Sequence, residues 1–271
     1  MKFWNCGGEG QIMVGSLMAA AMMLFVGDMI PLPVFIALTA VLSTAAGGVW
    51  GLIPAIFKAK WNTNETLFTL MMNYIAIQLV LCFLKLFGNA QGNLDRMPEY
   101  AIPQILNGPY FLNIVIVLVI CVIMYVYLRS SKQGYEIAVV GESEKTAKYI
   151  GINVSKVIIR TMIISGALCG LIGFLLVANG SCSVTTTITS GRGFTAILVS
   201  WLGKFNPFYM ILTSFLVVFL QTGTKFMGET YRLDSSIADI FIGVVLLFII
   251  GCEFFINYKI NFRKSRQGRG E

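Results

Sequence analysis

The chain is built from a succession of apolar runs, most of them long enough to cross about 30 Å of hydrocarbon, and this leaves it few folds to choose from. Inside a bilayer no water can satisfy a backbone N–H or C=O, so each crossing segment must close its own hydrogen bonds as a helix. The runs are Ile12–Val26, Leu32–Phe57, Thr66–Phe87, Tyr110–Leu128, Val157–Ala178, Pro207–Thr222 and Ile237–Phe255. They predict an all-α polytopic membrane protein with about seven transmembrane helices. Composition agrees, because hydrophobic residues make up 56% and charged residues 12% of the 271, against about half and a quarter in soluble chains. Pro31, Pro33, Gly47, Gly48 and Pro54 predict a kinked or partly interfacial second span.

Two stretches depart from plain spans. Asn179–Gly193 is rich in Ser, Thr and Gly and leads into Phe194–Leu202, an apolar piece too short to cross. Together they predict a broken or re-entrant segment. Arg129–Lys156 is the longest polar insertion between two spans. In it Ser143 can cap a short helix from Glu144 to Ile150, Ala147 and Ile150 fall three apart on one face, and Gly151 supplies a left-handed stop. That is the pattern of a small docking helix outside the membrane. The span after it carries Ser165, Gly166, Ala167, Gly170 and Gly173, a composition suited to close helix packing.

Charge sets the orientation. Loops 58–65, 129–156 and 203–206 and the tail 256–271 hold two, five, one and five Lys or Arg, whereas the opposite loops hold only Arg96, Arg192, Lys225 and Arg232. The docking loop and the C-terminus are therefore expected in the cytoplasm, provided that Phe194–Leu202 counts as a return through the inner half of the membrane. The opening residues have no basic n-region and no cleavage site, so they do not read as a signal peptide. The whole of 1–271 reads as a single transmembrane domain.

Several functions are excluded. The net charge of +7 gathers at span ends and in the tail, so it is no nucleic-acid footprint. With no histidine in the chain, His-based metal sites and triads are ruled out. Cys6, Cys82, Cys121, Cys169, Cys182 and Cys252 are scattered through mostly apolar runs without a Cys-x-x-Cys pair, which predicts small buried hydrophobes and no metal. No phosphate-cradling Gly-x-x-x-x-Gly-Lys-Ser/Thr occurs, so any ATP must be handled by a partner, and no cofactor is expected. Gly191-Arg-Gly193-Phe-Thr-Ala196 fits a dinucleotide Gly-x-Gly-x-x-Ala, and SVTTTIT before it could pass for a strand. The acidic residue expected about 20 positions later is missing, and no βαβ unit surrounds it.

Ionisable groups within the spans are nearly absent; Lys85, Asp239 and Glu253 lie near span ends, where they can snorkel. Glu9 and Gln11 stand beside three glycines ahead of the first apolar run. They read either as a solvated terminus or as an unwound stretch lining a cavity. Asn64, Asn73, Tyr74 and Gln78 lie on or near one span, and Asn73 and Gln78 need partners at lipid depth. A pathway of amides, hydroxyls and rings without buried charge suits a polar, uncharged solute.

At these positions the chain resembles a known family. Asn5–Gln11 (NCGGEGQ) resembles the NxGGEGQ stretch of permease subunits of bacterial ABC importers in the branched-chain amino acid and simple-sugar group. Gly48–Tyr74 (GVWGLIPAIFKAKWNTNETLFTLMMNY) resembles a segment of its nucleoside-type members, and Gly193–Pro207 (GFTAILVSWLGKFNP) a later one. Gly141, Glu142, Ala147, Gly151 and Ile152 resemble the cytoplasmic coupling segment. The resemblance implies a non-enzymatic permease subunit in a bacterial cell membrane. Its implied partners are a cytoplasmic ABC ATPase, a second permease subunit, an extracytoplasmic substrate-binding lipoprotein and membrane lipid. It implies coupling through Gly141, Glu142, Ala147, Ile150, Gly151 and Ile152, and a substrate pathway touching Glu9, Gln11, Asn64, Asn73, Tyr74 and Gln78. Nucleosides are the implied solute, with a simple sugar as the alternative and an ATP-independent transporter or channel as the rival class. Members carry one or more spans before the GGEGQ stretch, which here starts at residue 7, so the chain is expected to lack its first spans.

Overall fold

The structure is a computed structural model, and it describes residues 4–89, 94–95, 97–102, 110–231, 240, 243–244, 247–248 and 251. The described residues are helical with connecting turns, and six of their helices are long and apolar enough to cross a membrane. They are α1 (Gly8–Val26), α2 (Leu32–Trp61), α3 (Glu65–Phe87), α4 (Phe111–Ser130), α7 (Val154–Leu176) and α9 (Pro207–Tyr231). The predicted seventh span, Ile237–Phe255, falls mostly outside the described residues, as do Asp239, Glu253 and the basic tail.

Two expectations need correction. The first span begins at Gly8, not Ile12, so the GGEGQ stretch is the opening turn of α1 and neither solvated nor unwound. The second span is a continuous helix of 30 residues, about 45 Å long, and Pro54 inside it removes one backbone hydrogen bond where the sequence predicts a kink. The docking loop holds two helices: α5 (Lys132–Glu142) precedes the expected one, α6 (Glu144–Tyr149). At 11 residues and with Gly134 inside it, α5 gives too short a periodic pattern to stand out from loop; the missing side chain of Gly134 lets the backbone turn against the Leu128 and Tyr127 carbonyls.

The chain forms two compact units, 1–197 and 198–271. In the first, α1, α2 and α7 meet backbone to backbone. A Cβ on Gly170 would overlap the Ser43 carbonyl and stand 3.0 Å from Gly47 Cα; one on Gly51 would stand 2.8 Å from the Met162 carbonyl oxygen. Gly15 of α1 lies against Gly170, and Gly173 against the Ile12 carbonyl, with Ser16 Oγ donating 3.1 Å to the Gly173 carbonyl. In lipid no hydrophobic effect pulls helices together, so such close approach, with its dispersion contacts, is what associates them. Around this seam, Phe35, Met22, Met23 and Phe174 fill one core patch, while Met13, Ala20, Ala76 and Val80 fill another between α1 and α3. By contrast, α4 buries no residue fully, although it is apolar all round.

The end of α7 passes through a π-helical turn, Val177–Ser181, and the carbonyls there hold the residues around Met97 and Ile102: Ile102 N donates to Ala178 O at 3.0 Å and Met97 N to Cys182 O at 3.0 Å. Nearby, Tyr100 donates its hydroxyl to the Asp28 carboxylate, and that bond pushes the phenol's pKa up to about 12. The backbone then runs without regular structure to α8 (Arg192–Leu202), an 11-residue helix. At about 16 Å it is too short to cross, so the expected broken segment is present. In the second unit, the end of α8 turns through left-handed Lys204 and Phe205, Gly203 lies against Met210, and Thr213 Oγ1 of α9 donates to Val199 O at 3.3 Å.

The packing makes a graded prediction. Gly170→Val forces a branched side chain into the Ser43 and Gly47 backbone and is expected to cost about 3 kcal/mol. Gly223→Val, with nothing within 4 Å of the added Cβ, serves as the tolerated control. Thermal melts of the detergent-purified protein, followed by loss of the monodisperse fraction, measure both.

Candidate functional site

A helix start leaves about four N–H groups without partners, and at membrane depth they must find an acceptor in the protein. Among the described residues, two helix starts draw their acceptor from another helix. The first is α1, whose N-cap is Gly7 and which has no side-chain cap of its own. Its acceptor comes from α3: Asn73 Oδ1 receives the Gly10 N–H at 2.9 Å, while Asn73 Nδ2 donates to the Cys6 carbonyl at 2.8 Å. Asn73 stands eight residues into α3, about 12 Å along its axis. Both halves of one amide are thereby used. Gly10 has no room for a side chain there, because a Cβ would stand 2.8 Å from Asn73 Oδ1.

The second start is α8. Its opening turn donates Gly191 N–H to Glu9 Oε1 at 2.9 Å and Gly193 N–H to Glu9 Oε2 at 2.7 Å. Glu9 is only 8% exposed. A buried carboxylate is costly alone; here both oxygens take a backbone donor at the positive end of a helix, the arrangement that best accommodates an anion. The glycines that imitate a dinucleotide motif in sequence thus use the same physics on an internal anion. SVTTTIT before them is a series of turns and not a strand.

Around these two caps lies a small polar network. Asn5 Nδ2 donates to Gln11 Oε1 and to Ser165 Oγ of α7, both at 3.2 Å; Gln11 Nε2 donates back to Asn5 Oδ1 at 3.3 Å; and Gly7 N donates to Asn5 Oδ1 at 3.0 Å. Gln11 is buried. The segment before α1 is thereby tied to α7. Asn5 and Ser165 were not singled out from the sequence as site residues. No periodic pattern marks them, since one precedes the first span and the other sits among packing residues.

The residues expected to form one pathway therefore separate. Glu9, Gln11 and Asn73 come together, each hydrogen-bonded within the bundle. Tyr74, 70% exposed, and the exposed Gln78 lie on the outward side of α3. Asn64 belongs to neither: it is the exposed N-cap of α3, accepting from Thr66 N and Leu67 N at 3.1 and 3.3 Å, beside the Lys58–Glu65 ion pair at 2.8 Å. Among the described residues no cluster of His, Cys, Asp and Glu suits a metal ion.

The expected coupling residues also separate. Ser143 Oγ accepts from Thr146 N at 3.3 Å, as its place at the cap predicts. At the other end, Gly151 N donates to Lys148 O and Ile152 N to Ala147 O, with Gly151 at φ 84°, a paired closure that requires the left-handed residue. Ala147 does not face outward, however. It is 0% exposed, packed with Ala55 of α2, Val140 of α5 and Val154, Val157, Ile158 and Met162 of α7. Ile150 caps the helix and is exposed; Glu142 and Gly151 are exposed too, while Gly141 and Ile152 are half-buried. Helical spacing placed Ala147 and Ile150 on one side, but Ile150 ends the helix and turns away. Tyr149, at 92% exposure, is the most prominent outward group. Below it, Arg160 of α7 pairs with Glu136 of α5 at 3.0 Å.

Comparison with known proteins supplies the context. Residues 1–250 match the model of a family described as the branched-chain amino acid transport system permease component. A guanosine ABC transporter permease of Bacillus subtilis is 31% identical over 260 residues, covering 91% of this chain and 73% of its own length. A glucose ABC transporter permease of Haloferax volcanii is 25% identical, covering 98% and 73%, and a nucleoside ABC transporter permease of Lactococcus lactis is 26% identical, covering 97% and 75%. No solved structure matches.

The two faces of α3 respond differently to substitution. Asn73→Leu leaves the Gly10 N–H buried without an acceptor and is expected to cost about 1–3 kcal/mol. Gln78→Leu, on the outward side, stays within about 0.5 kcal/mol. Melting temperatures of the two purified variants measure the contrast.

Proposed function

Because the chain belongs to the family of branched-chain amino acid transport system permease components, we propose that it is the membrane-spanning subunit of an importer that carries a nucleoside. Its family is one of ABC transporter permeases, multi-pass membrane subunits that carry out no covalent chemistry and work with an ATPase and a substrate-binding protein. The observation that carries the nucleoside reading is the 31% identity to a guanosine permease across nearly the whole chain. The alternative is a simple sugar, favoured by the 25% identity to a glucose permease.

The solute is polar and uncharged, and its path is built as a single permease domain paired with a second permease subunit in the lipid of the cell membrane. Tyr74 and Gln78 lie free of the α1 network and offer a ring for a base and an amide for ribose hydroxyls. The C-terminus and α5–α6 lie on the cytoplasmic side, where Lys and Arg gather in the loops. There the ATPase bears on Tyr149, Ile150 and Glu142. Ala147 does not touch the ATPase; it seats α6 on α7 and α2, so that a push on α6 reaches the spans as a displacement of packed helices.

Two measurements test this reading. Uptake of radiolabelled uridine, guanosine and ribose into a transport-deficient host expressing the full gene cluster is expected to show both nucleosides carried and ribose ignored; ribose alone would overturn the nucleoside assignment. Tyr149→Glu adds charge to an exposed position without disturbing the core and is expected to reduce ATP-driven uptake at least tenfold at normal membrane expression. Undiminished uptake by that variant would show that α6 is not where the ATPase acts.

A further inference from the structure

We propose that Glu9 is a positioning residue for transport, its carboxylate clamping the first turn of the half-helix α8 to the start of α1, and that uptake requires this clamp. The inference rests on the reading of the chain as an ATP-driven importer, and it assigns to Glu9 a role other than touching solute. Three observations and one physical argument carry it. The carboxylate spends both oxygens on α8, at 2.9 Å to Gly191 N and 2.7 Å to Gly193 N, across 182 and 184 positions of sequence. The two backbones are in contact: a Cβ at Gly193 would stand 2.8 Å from both Glu9 Cα and Oε2. The chain entering α8 is a run of hydrogen-bonded turns with no helix or strand, and it passes through left-handed Ser190 and Gly191. Finally, a hydroxyl or amide would cap a helix at less cost in burial than a carboxylate does. An ionised acceptor spanning two amides is stronger and more directional than either, which suits a contact that must place a broken segment and not merely satisfy its donors.

On this account Glu9 fills the anion site that a half-helix start presents at membrane depth. A glutamine in its place would present one acceptor and one donor to two N–H donors, so one contact becomes repulsive. Aspartate keeps the charge but reaches less far.

The test uses the full importer, with its ATPase and binding protein, reconstituted in lipid. Glu9→Gln is expected to accelerate amide exchange at residues 191–195 at least tenfold while leaving protection within α7 unchanged. It is also expected to lower uptake at least tenfold with ATP hydrolysis within twofold of the parent, and Glu9→Asp is expected to recover part of the uptake. Unchanged exchange and uptake in Glu9→Gln, or Glu9→Asp no better than Glu9→Gln, would overturn the proposal. If Glu9→Gln does not assemble, Gly193→Ala decides: it keeps the carboxylate but pushes a methyl against it, and normal uptake by that variant also overturns the clamp. Guanosine and ribose are run in parallel on the parent. Carriage of ribose alone then refutes the nucleoside assignment without touching the role of Glu9, which is scored on whichever solute is carried.

Discussion

The backbone contact among α1, α2 and α7 is what the first unit depends on. Gly15, Gly47, Gly51, Gly166, Gly170 and Gly173 let three helices approach until carbonyls of one lie over Cα atoms of another. Surrounded by hydrocarbon, these helices gain nothing from excluding water from one another, so dispersion at short range and weak backbone polar contacts must suffice. The same closeness sets a strict limit on side chains at the seam. It also brings the start of α1 alongside α3 and the first turn of α8, where the polar groups of the bundle interior meet.

Those polar groups cap helices across the bundle and not within their own helices. Asn73 of α3 caps α1, and Glu9 of α1 caps α8. These two helix starts thereby borrow their acceptors from a neighbour, and the exchange specifies which helices must be adjacent. A polar residue that would weaken an isolated apolar helix becomes a register mark in the assembled one. Together with the Gln11–Asn5 pair, this accounts for three of the polar residues picked out from the sequence without assigning them any contact with solute.

At the other end of α7, the packed group of Ala147, Val140, Val157, Ile158, Met162 and Ala55 joins the short α5–α6 pair to two long helices. Ala147 lies where α6 packs directly on α7, which leaves room only for a small side chain. Tyr149 and Ile150 point outward, whereas Ala147 is fully buried. The Arg160–Glu136 pair adds a charged tie between α5 and α7, and at half-buried exposure its main contribution is direction and not strength.

Much of this was legible in the sequence, because the information was local. Apolar run length decided which segments are helices, and Ser143 and Gly151 decided where α6 begins and ends, since a cap and a left-handed stop act within a single turn. The small residues of α7 announced close packing, and the shortness of Phe194–Leu202 announced a broken segment. What the tertiary structure decided are relations between distant residues: that Glu9 meets Gly191 and Gly193, that Asn73 serves α1, that Asn5 ties to Ser165, and that Ala147 faces inward. A hydrogen bond between residues far apart in sequence leaves no periodicity in the chain. Only the approach of helices permitted by glycine, a property of pairs of helices and not of either one, brings those donors and acceptors within reach of one another.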